Sequence, residues 1–342
     1  MRAIVVREHG GPEQLRLEER ETPKPAADEV RIRVRAAGLN HLDLWVRRGI
    51  PGVKYPLPLV PGCDAAGEVD EAGERVSWLA RGQKVLVAPG LSCGRCRECA
   101  AGRDHLCRFY GILGETRDGG CAEYVVVPAV NALPMPARLS FEEAAAIPLV
   151  FLTAWHMLVE RARVRPGETV LVHAGGSGVG SAAIQIAKLW GARVLTTVGS
   201  EEKAAHARRL GADETILYRT QDFAEEARRR TGKRGVDVVL EHVGADTWRG
   251  SLRALAKGGR LVTCGATSGN EVTSDLRLIF FKSLSILGST MGSRGELIEA
   301  LEHVEAGRLR PILDRVFPLA ATAEAHRHLE ERRAFGKVVV VP

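Results

Sequence analysis

From residue 169 onward the chain alternates short apolar runs with stretches of helical periodicity, and no other feature narrows its fold so strongly. Residues 169–173 read as a buried strand, and Val179, Ala182, Ala183, Ile186 and Leu189 follow on one helical face. Strand 193–198, helix 201–210, strand 214–217, helix 222–231 and strand 236–240 come next, and a further helix and strand 260–264 complete the series. Strands separated by helices of roughly ten residues imply right-handed crossovers and a parallel, doubly wound sheet. The first 150 residues have another grammar. Residues 30–36 alternate apolar and charged positions as a half-buried strand does, 84–88 and 122–127 are further β runs, and no long helical period precedes Phe141. A helix is expected over 322–333 and a last strand over 337–341. That strand must pair back into the first half, because a lone strand leaves its backbone groups unsatisfied.

Between the first strand and helix of the alternating half lies His173-Ala-Gly-Gly-Ser-Gly-Val-Gly180. Glycines here admit a pyrophosphate close to the backbone, while the helix N-terminus offers free N–H groups and a positive dipole. A strict G-x-G-x-x-G counted from Gly175 fails at Ser177 and ends at Gly180, but the placement after a strand and before a helix predicts a dinucleotide site. Gly175, Ser177, Gly178, Val179 and Gly180 are its candidate contacts. NAD sites place an acid about 20 residues after the first glycine, to accept from the ribose 2′-hydroxyl. That place is held by Val198, Gly199 and Ser200. Ser200, Lys203, Tyr218 and Arg219 are suited instead to a 2′-phosphate, so NADP(H) is expected. Glu201 and Glu202 keep NAD(H) open.

Cys93, Cys96, Cys99 and Cys107 form a C-x2-C-x2-C-x7-C loop. Four soft thiolates this close can enclose one tetrahedral zinc with no open position, which makes the metal structural. Bacterial ferredoxins share the first two spacings, but their fourth Cys follows after three residues and precedes Pro, unlike Cys107-Arg108. Disulfides are disfavoured without a secretion signal, and the remaining Cys63, Cys121 and Cys264 show no pairing pattern, so a reducing cytoplasm is expected. The 342 residues suffice for two domains. The longest nearly unbroken apolar stretch, 144–155, contains Pro148 and is too short to span a bilayer. A net charge of +6 suits a phosphate-bearing cofactor. The basic run Arg228–Arg230 with Lys233 and Arg234 closes a predicted helix and lacks interleaved aromatics, which argues against nucleic acid.

With the thiolate quartet, the glycine loop and this β-then-α/β order, the chain resembles the medium-chain dehydrogenase/reductase superfamily over its whole length. The resemblance implies a GroES-like, β-rich catalytic domain over 1–150, with a zinc lobe at about 90–110, and a Rossmann domain over 151–285. Residues 286–342 would end the Rossmann domain and return to the catalytic domain. It also implies an NAD(P)-dependent oxidoreductase with its active site in the cleft between the domains, and a homodimer or homotetramer; the run 284–288 resembles the edge strand through which relatives pair.

The quartet matches the structural zinc ligands of the zinc alcohol dehydrogenases in that superfamily. The catalytic zinc ligands do not carry over. The Cys of a Gly-x-Cys-His-Thr-Asp run is replaced by Asn40 in Gly38-Leu-Asn-His-Leu-Asp43, and the His of a Gly-His-Glu step by Cys63 in Gly62-Cys63-Asp64. The third ligand, before a Thr-Ala-aromatic step, is replaced by Leu149 ahead of Thr153-Ala154-Trp155. Leu42 and Trp45 stand where the proton relay would be. A second metal on Cys63, Asp64, His41 or Asp43 stays open as an alternative. Asn40 and the 62–67 step look instead like the zinc-free quinone and enone reductases. The expected chemistry is hydride transfer from NADPH to a small quinone, enone or activated aldehyde. Asn40 or nearby backbone donors would polarise the oxygen, His41 would donate a proton, contact phosphate or simply pack, and Thr153 would line the nicotinamide site. Alcohol dehydrogenase or aldehyde reductase activity on small alcohols, or a non-catalytic NADPH-binding role, are the alternatives.

Overall fold

The structure, a computed structural model, describes residues 1–342 and divides into two compact units. One comprises Met1–Val150 and Ser293–Pro342, the other Phe151–Gly292. No helix is long and apolar enough to cross a membrane.

The first unit is built on an antiparallel sheet. Its long central strand, Glu29–Leu39, pairs with Asp64–Ala72 and Tyr124–Pro128, and the sheet continues through Lys84–Val87 to Ala132–Pro134. Alternation puts Val30, Ile32 and Val34 into the core beside Val85, Val127, Val338 and Val340. The C-terminal strand Lys337–Val341 returns as expected. It lies antiparallel to Glu29–Leu39, with Val339 opposite Gly38, and parallel to Leu313–Pro318 on its other side. Gly38 is required there, since any side chain would run into the carbonyl of Ala145. Several elements were missed, among them the strands Asp64–Ala72 and Leu313–Pro318 and the helices Arg294–Glu305 and His41–Arg48. His41–Arg48 is a helix of the first half, too short to show a sustained period, and is defined by its start. There Asn40 and Asp43 form a reciprocal capping box.

The second unit is the parallel sheet. Its strands lie in the order Glu214–Leu217, Arg193–Val198, Thr169–Val172, Val236–Glu241, Leu255–Thr263 and Ser285–Gly288, each parallel to its neighbour. Leu171, Leu195, Val239 and Leu261 are fully buried, as an inner parallel sheet requires. Strand order reverses between Thr169–Val172 and Val236–Glu241. The loops leaving the carboxyl ends of those two strands are therefore where a ligand of such a sheet binds.

Candidate active site

Register assembles the first cluster. Gly38 lies opposite Asp64 on one side and Val339 on the other, so three strand ends meet. Asn40 follows the first strand, Asp64 opens the second and Lys337 opens the third. The Lys337 ammonium donates to Asn40 Oδ1 at 2.6 Å and to Asp64 Oδ2 at 2.9 Å. Asn40 Nδ2 donates to Asp64 Oδ2 at 2.9 Å and to Cys63 Sγ at 3.1 Å. Turning the amide over would set NH2 against the ammonium, so Lys337 itself fixes the orientation of Asn40. Asp64 Oδ1 accepts from the Leu149 backbone N–H at 2.9 Å. All of these side chains are buried, Lys337 to 3% exposure. Burying an ammonium alone would be prohibitive; the Asp64 carboxylate makes it tolerable.

Asp43 lies beneath the cluster and accepts from the amides of Asn40 at 2.7 Å and Gly62 at 3.0 Å. Burial pushes its pKa up to about 6 against the pull of those amides, so it is a carboxylate at neutral pH with both oxygens committed. Burial holds the Cys63 thiol well above its ordinary pKa. These donors do not fit a second metal. Asp64 and Asn40 already hold a cation, Cys63 is kept protonated, and Leu149 offers only a backbone N–H. His41 is half-buried at the first position of the helix. The two Asn40 amide hydrogens expected to polarise a substrate are spent on Asp64 and Cys63, so that donor role does not fit this geometry. Tyr110 was also missed. Its hydroxyl is buried without a partner, and burial raises its pKa further.

The four loop cysteines come together. Their sulfurs lie within 4.8 Å of one another, with Cys96 and Cys99 at 3.5 Å, a donor set that fits one zinc. The backbone amides of Arg95 and Cys96 bring the Cys93 pKa down to about 6, a thiolate ready for a cation. The lobe is tied to its unit by Asp104, which accepts from the amide of Arg294 at the start of the Arg294–Glu305 helix.

In the second unit the glycine loop opens with Ala174 at φ +45°, a left-handed conformation costing about 1 kcal/mol outside glycine. Gly175 and Gly180 have no room for a side chain, which would meet Thr196 and the Ala174 carbonyl. Ser177, the residue that breaks the glycine pattern, caps the Gly178–Leu189 helix by accepting from Gly180 N–H at 2.9 Å. The cradle fits a pyrophosphate. Val179 and Gly178 form the helix's first turn. At the end of Arg193–Val198, Ser200 caps the next helix, and the Tyr218 hydroxyl closes over Gly199. Lys203 is half-buried in that helix's first turn, whereas Arg219, Glu201 and Glu202 are exposed. Thr153 is buried within the Pro148–Trp155 helix of this unit.

A buried polar chain holds the strained loop, and sequence patterning did not reveal it. Ala174 N–H donates to Thr197 Oγ1 at 3.0 Å, and that hydroxyl meets His173 Nδ1 at 3.2 Å. His173 Nε2 meets Ser251 Oγ at 2.9 Å, and Ser251 donates to Glu241 Oε2 at 2.7 Å. Glu241 can only accept, so Ser251 must receive from Nε2–H, and Nδ1 must receive from Thr197. One neutral tautomer satisfies every group. Burial lowers the His173 pKa, in keeping with that tautomer. Glu241 also accepts from the amides of Val243 and Gly244, which links the loops after both strands at the switch point.

Comparison with known proteins bears on both units. Residues 26–137 match the alcohol dehydrogenase GroES-like domain, and residues 178–306 match the zinc-binding dehydrogenase family. A Saccharolobus solfataricus protein named NAD-dependent alcohol dehydrogenase is 34% identical over the full length of both chains. A Sus scrofa quinone oxidoreductase is 32% identical, covering 100% of this chain and 98% of its own. A crystal structure of an NAD-dependent alcohol dehydrogenase superposes with a TM-score of 0.97 at 54% identity, covering both chains completely.

Two outcomes follow from these geometries. Cys107→Ser should bring zinc per chain to near zero by elemental analysis and lower Tm by about 4 °C or more, while nucleotide affinity is retained. Glu241→Gln should weaken dinucleotide binding about tenfold by calorimetry. The ¹⁵N shifts of His173 in the unmodified protein should report the Nε2–H tautomer; an Nδ1–H tautomer would contradict the chain as drawn.

Proposed function

We propose that this chain, which belongs to the medium-chain dehydrogenase/reductase superfamily and is an NAD(P)-dependent oxidoreductase, reduces quinones, enones or activated aldehydes without a catalytic metal. The observation that carries this reading is the Lys337 ammonium seated on Asn40 and Asp64. Oxidising an ordinary alcohol demands loss of a proton with a pKa near that of water, which a bound metal ion lowers from about 15.7 to about 7. A cluster whose donors are committed to an ammonium does not supply that shift. Conjugated acceptors ask for less, because the charge left after reduction spreads over several atoms and hydrogen-bond donors suffice. The nicotinamide, when bound, supplies the hydride. The chain's own part is to cradle the pyrophosphate on the 175–180 loop and to keep the Asn40 cluster dry and fixed. The name of the Sus scrofa relative agrees with this class of acceptor.

NADP(H) is the proposed cofactor. No carboxylate ends the Arg193–Val198 strand, and Ser200, Lys203 and the 41% exposed Tyr218 stand at its end. NAD(H) is the second reading, favoured by the names of the Saccharolobus relative and the superposed structure. A reducing cytoplasm is the proposed compartment: Cys93, Cys96, Cys99 and Cys107 gather as a metal donor set and Cys63, Cys121 and Cys264 are unpaired.

Assembly is proposed through Ser285–Gly288. That strand pairs only with Leu255–Thr263, leaving its outer backbone groups open. Ile286 on it is 40% exposed, and Leu276, Phe280 and Phe281 on the preceding helix are 60–71% exposed. A second copy of the same edge satisfies such a strand by antiparallel, two-fold pairing.

A panel of quinones, enones and primary alcohols, run with both cofactors beside zinc analysis, tests the chemistry. Expected are one zinc per chain, a higher kcat/KM with NADPH than with NADH, and turnover of conjugated acceptors at least about 100-fold above alcohols. Two zincs with alcohols preferred would give the site to alcohol dehydrogenation. For the assembly, light scattering should find a dimer that the Phe281→Asp, Ile286→Lys variant converts to monomer. A wild-type monomer at micromolar concentration would refute it.

A further inference from the structure

Lys337 is more than a counter-ion. An ammonium carries three N–H donors, and two of them are spent on Asn40 Oδ1 and Asp64 Oδ2. No protein acceptor meets the third. An unanswered donor on a side chain only 3% exposed is costly unless something else answers it. The surrounding bonds hold that donor in place. Asp64 is pinned by the Leu149 amide and Asn40 by Cys63, and the Asn40 backbone is pinned in turn by Asp43. The ammonium is therefore clamped on two sides by groups that cannot themselves serve a substrate, since their hydrogens and lone pairs are already used.

We infer that Lys337 is the catalytic oxyanion donor of this enzyme: its third N–H binds the carbonyl oxygen of the conjugated acceptor. The inference rests on the conjugated-acceptor reading above and names the residue that acts in it. The acceptor's β-carbon would gain two electrons and a hydrogen, the hydride a bound reduced nicotinamide would supply, as a new C–H bond forms there. The carbon–carbon π pair shifts toward the carbonyl, whose π electrons move onto oxygen as an enolate. Lys337 donates a hydrogen bond to that oxygen and keeps its proton, because transfer would leave Asp64 buried beside a neutral amine. Water later protonates the α-carbon. The cation thus acts where charge develops, in a site whose burial makes each such bond count for more. Asn40, Asp43 and Asp64 are positioning residues for it.

The test separates this role from plain charge balance. Nitrophenols bound to the protein saturated with NADP⁺ mimic the oxyanion, and their absorbance reports whether they bind as phenol or phenolate. Wild type should bind them as phenolate, with the bound ligand's apparent pKa lowered. Lys337→Gln should reverse this by about 100-fold in the ionisation equilibrium, and Lys337→Arg should keep most of it. In turnover, the loss in Lys337→Gln should grow along a series of acceptors as the oxyanion formed becomes more basic, with Kd for NADPH unchanged. Should Lys337→Gln fail to fold beside a bare Asp64, the Lys337→Gln, Asp64→Asn pair removes both charges and serves in its place. Unchanged nitrophenol ionisation, an equal loss across the series, or a weakened cofactor Kd as the main effect would overturn the assignment. Wild-type failure to reduce any conjugated acceptor would instead sink the functional reading itself, whatever the nitrophenols show.

Discussion

The pairing of Lys337 with Asp64, two charges buried together at the meeting of three strands, is the interaction on which the site depends. Taken from water singly, either charge would be driven to neutralise or to leave. Together they form a unit whose remaining valences are filled by Asn40, Leu149 and, through Asn40, Cys63. Such pairs add little net stability, because desolvation offsets most of the attraction. Their value here is position. A single cation is delivered to one place with its two partners locked.

The second unit handles buried polarity by another means. Its chain from Ala174 through Thr197, His173 and Ser251 to Glu241 carries one charge, at its far end, and every donor has one acceptor. A directional chain of this kind has one low-energy arrangement, so it specifies geometry. The geometry specified is the left-handed turn at Ala174, from which the glycine loop departs. Glu241 extends the same restraint to the loop after its own strand through Val243 and Gly244. Both loops that leave the switch point therefore share one anchor, which bears on how tightly they hold a dinucleotide.

The zinc lobe stands apart from this chemistry. Its four sulfurs are contributed by a stretch of 15 consecutive residues, and a closed tetrahedral site has no position for substrate. It shapes the chain locally and is joined to its unit through Asp104 and the Arg294 amide. The sulfur quartet, a donor set that fits a metal, and the Asn40 cluster, whose donors hold an ammonium, are separate constellations of the first unit.

Local patterns were enough for much of this. The strands Arg193–Val198, Glu214–Leu217 and Lys337–Val341 fall where periodicity placed them, and so do the cysteine quartet and the glycine loop. Each is specified by residues close in sequence, whose spacing acts directly on the backbone or on one metal. The helix His41–Arg48 escaped because eight residues are too few to establish a period, although its Asn40–Asp43 cap was visible. Lys337 escaped for a deeper reason. Its one local sign was a charge opening an otherwise apolar terminal strand, and its partners Asp64 and Asn40 lie 273 and 297 residues away. Whether that lysine faces water or a buried carboxylate depends on strand register. Slipping the pairing by one residue would turn the side chain to the other face of the sheet. Sequence alone thus determined the kinds of elements and the local metal and nucleotide loops; tertiary structure decided which distant charges meet, because only the assembled sheet sets the distance between them.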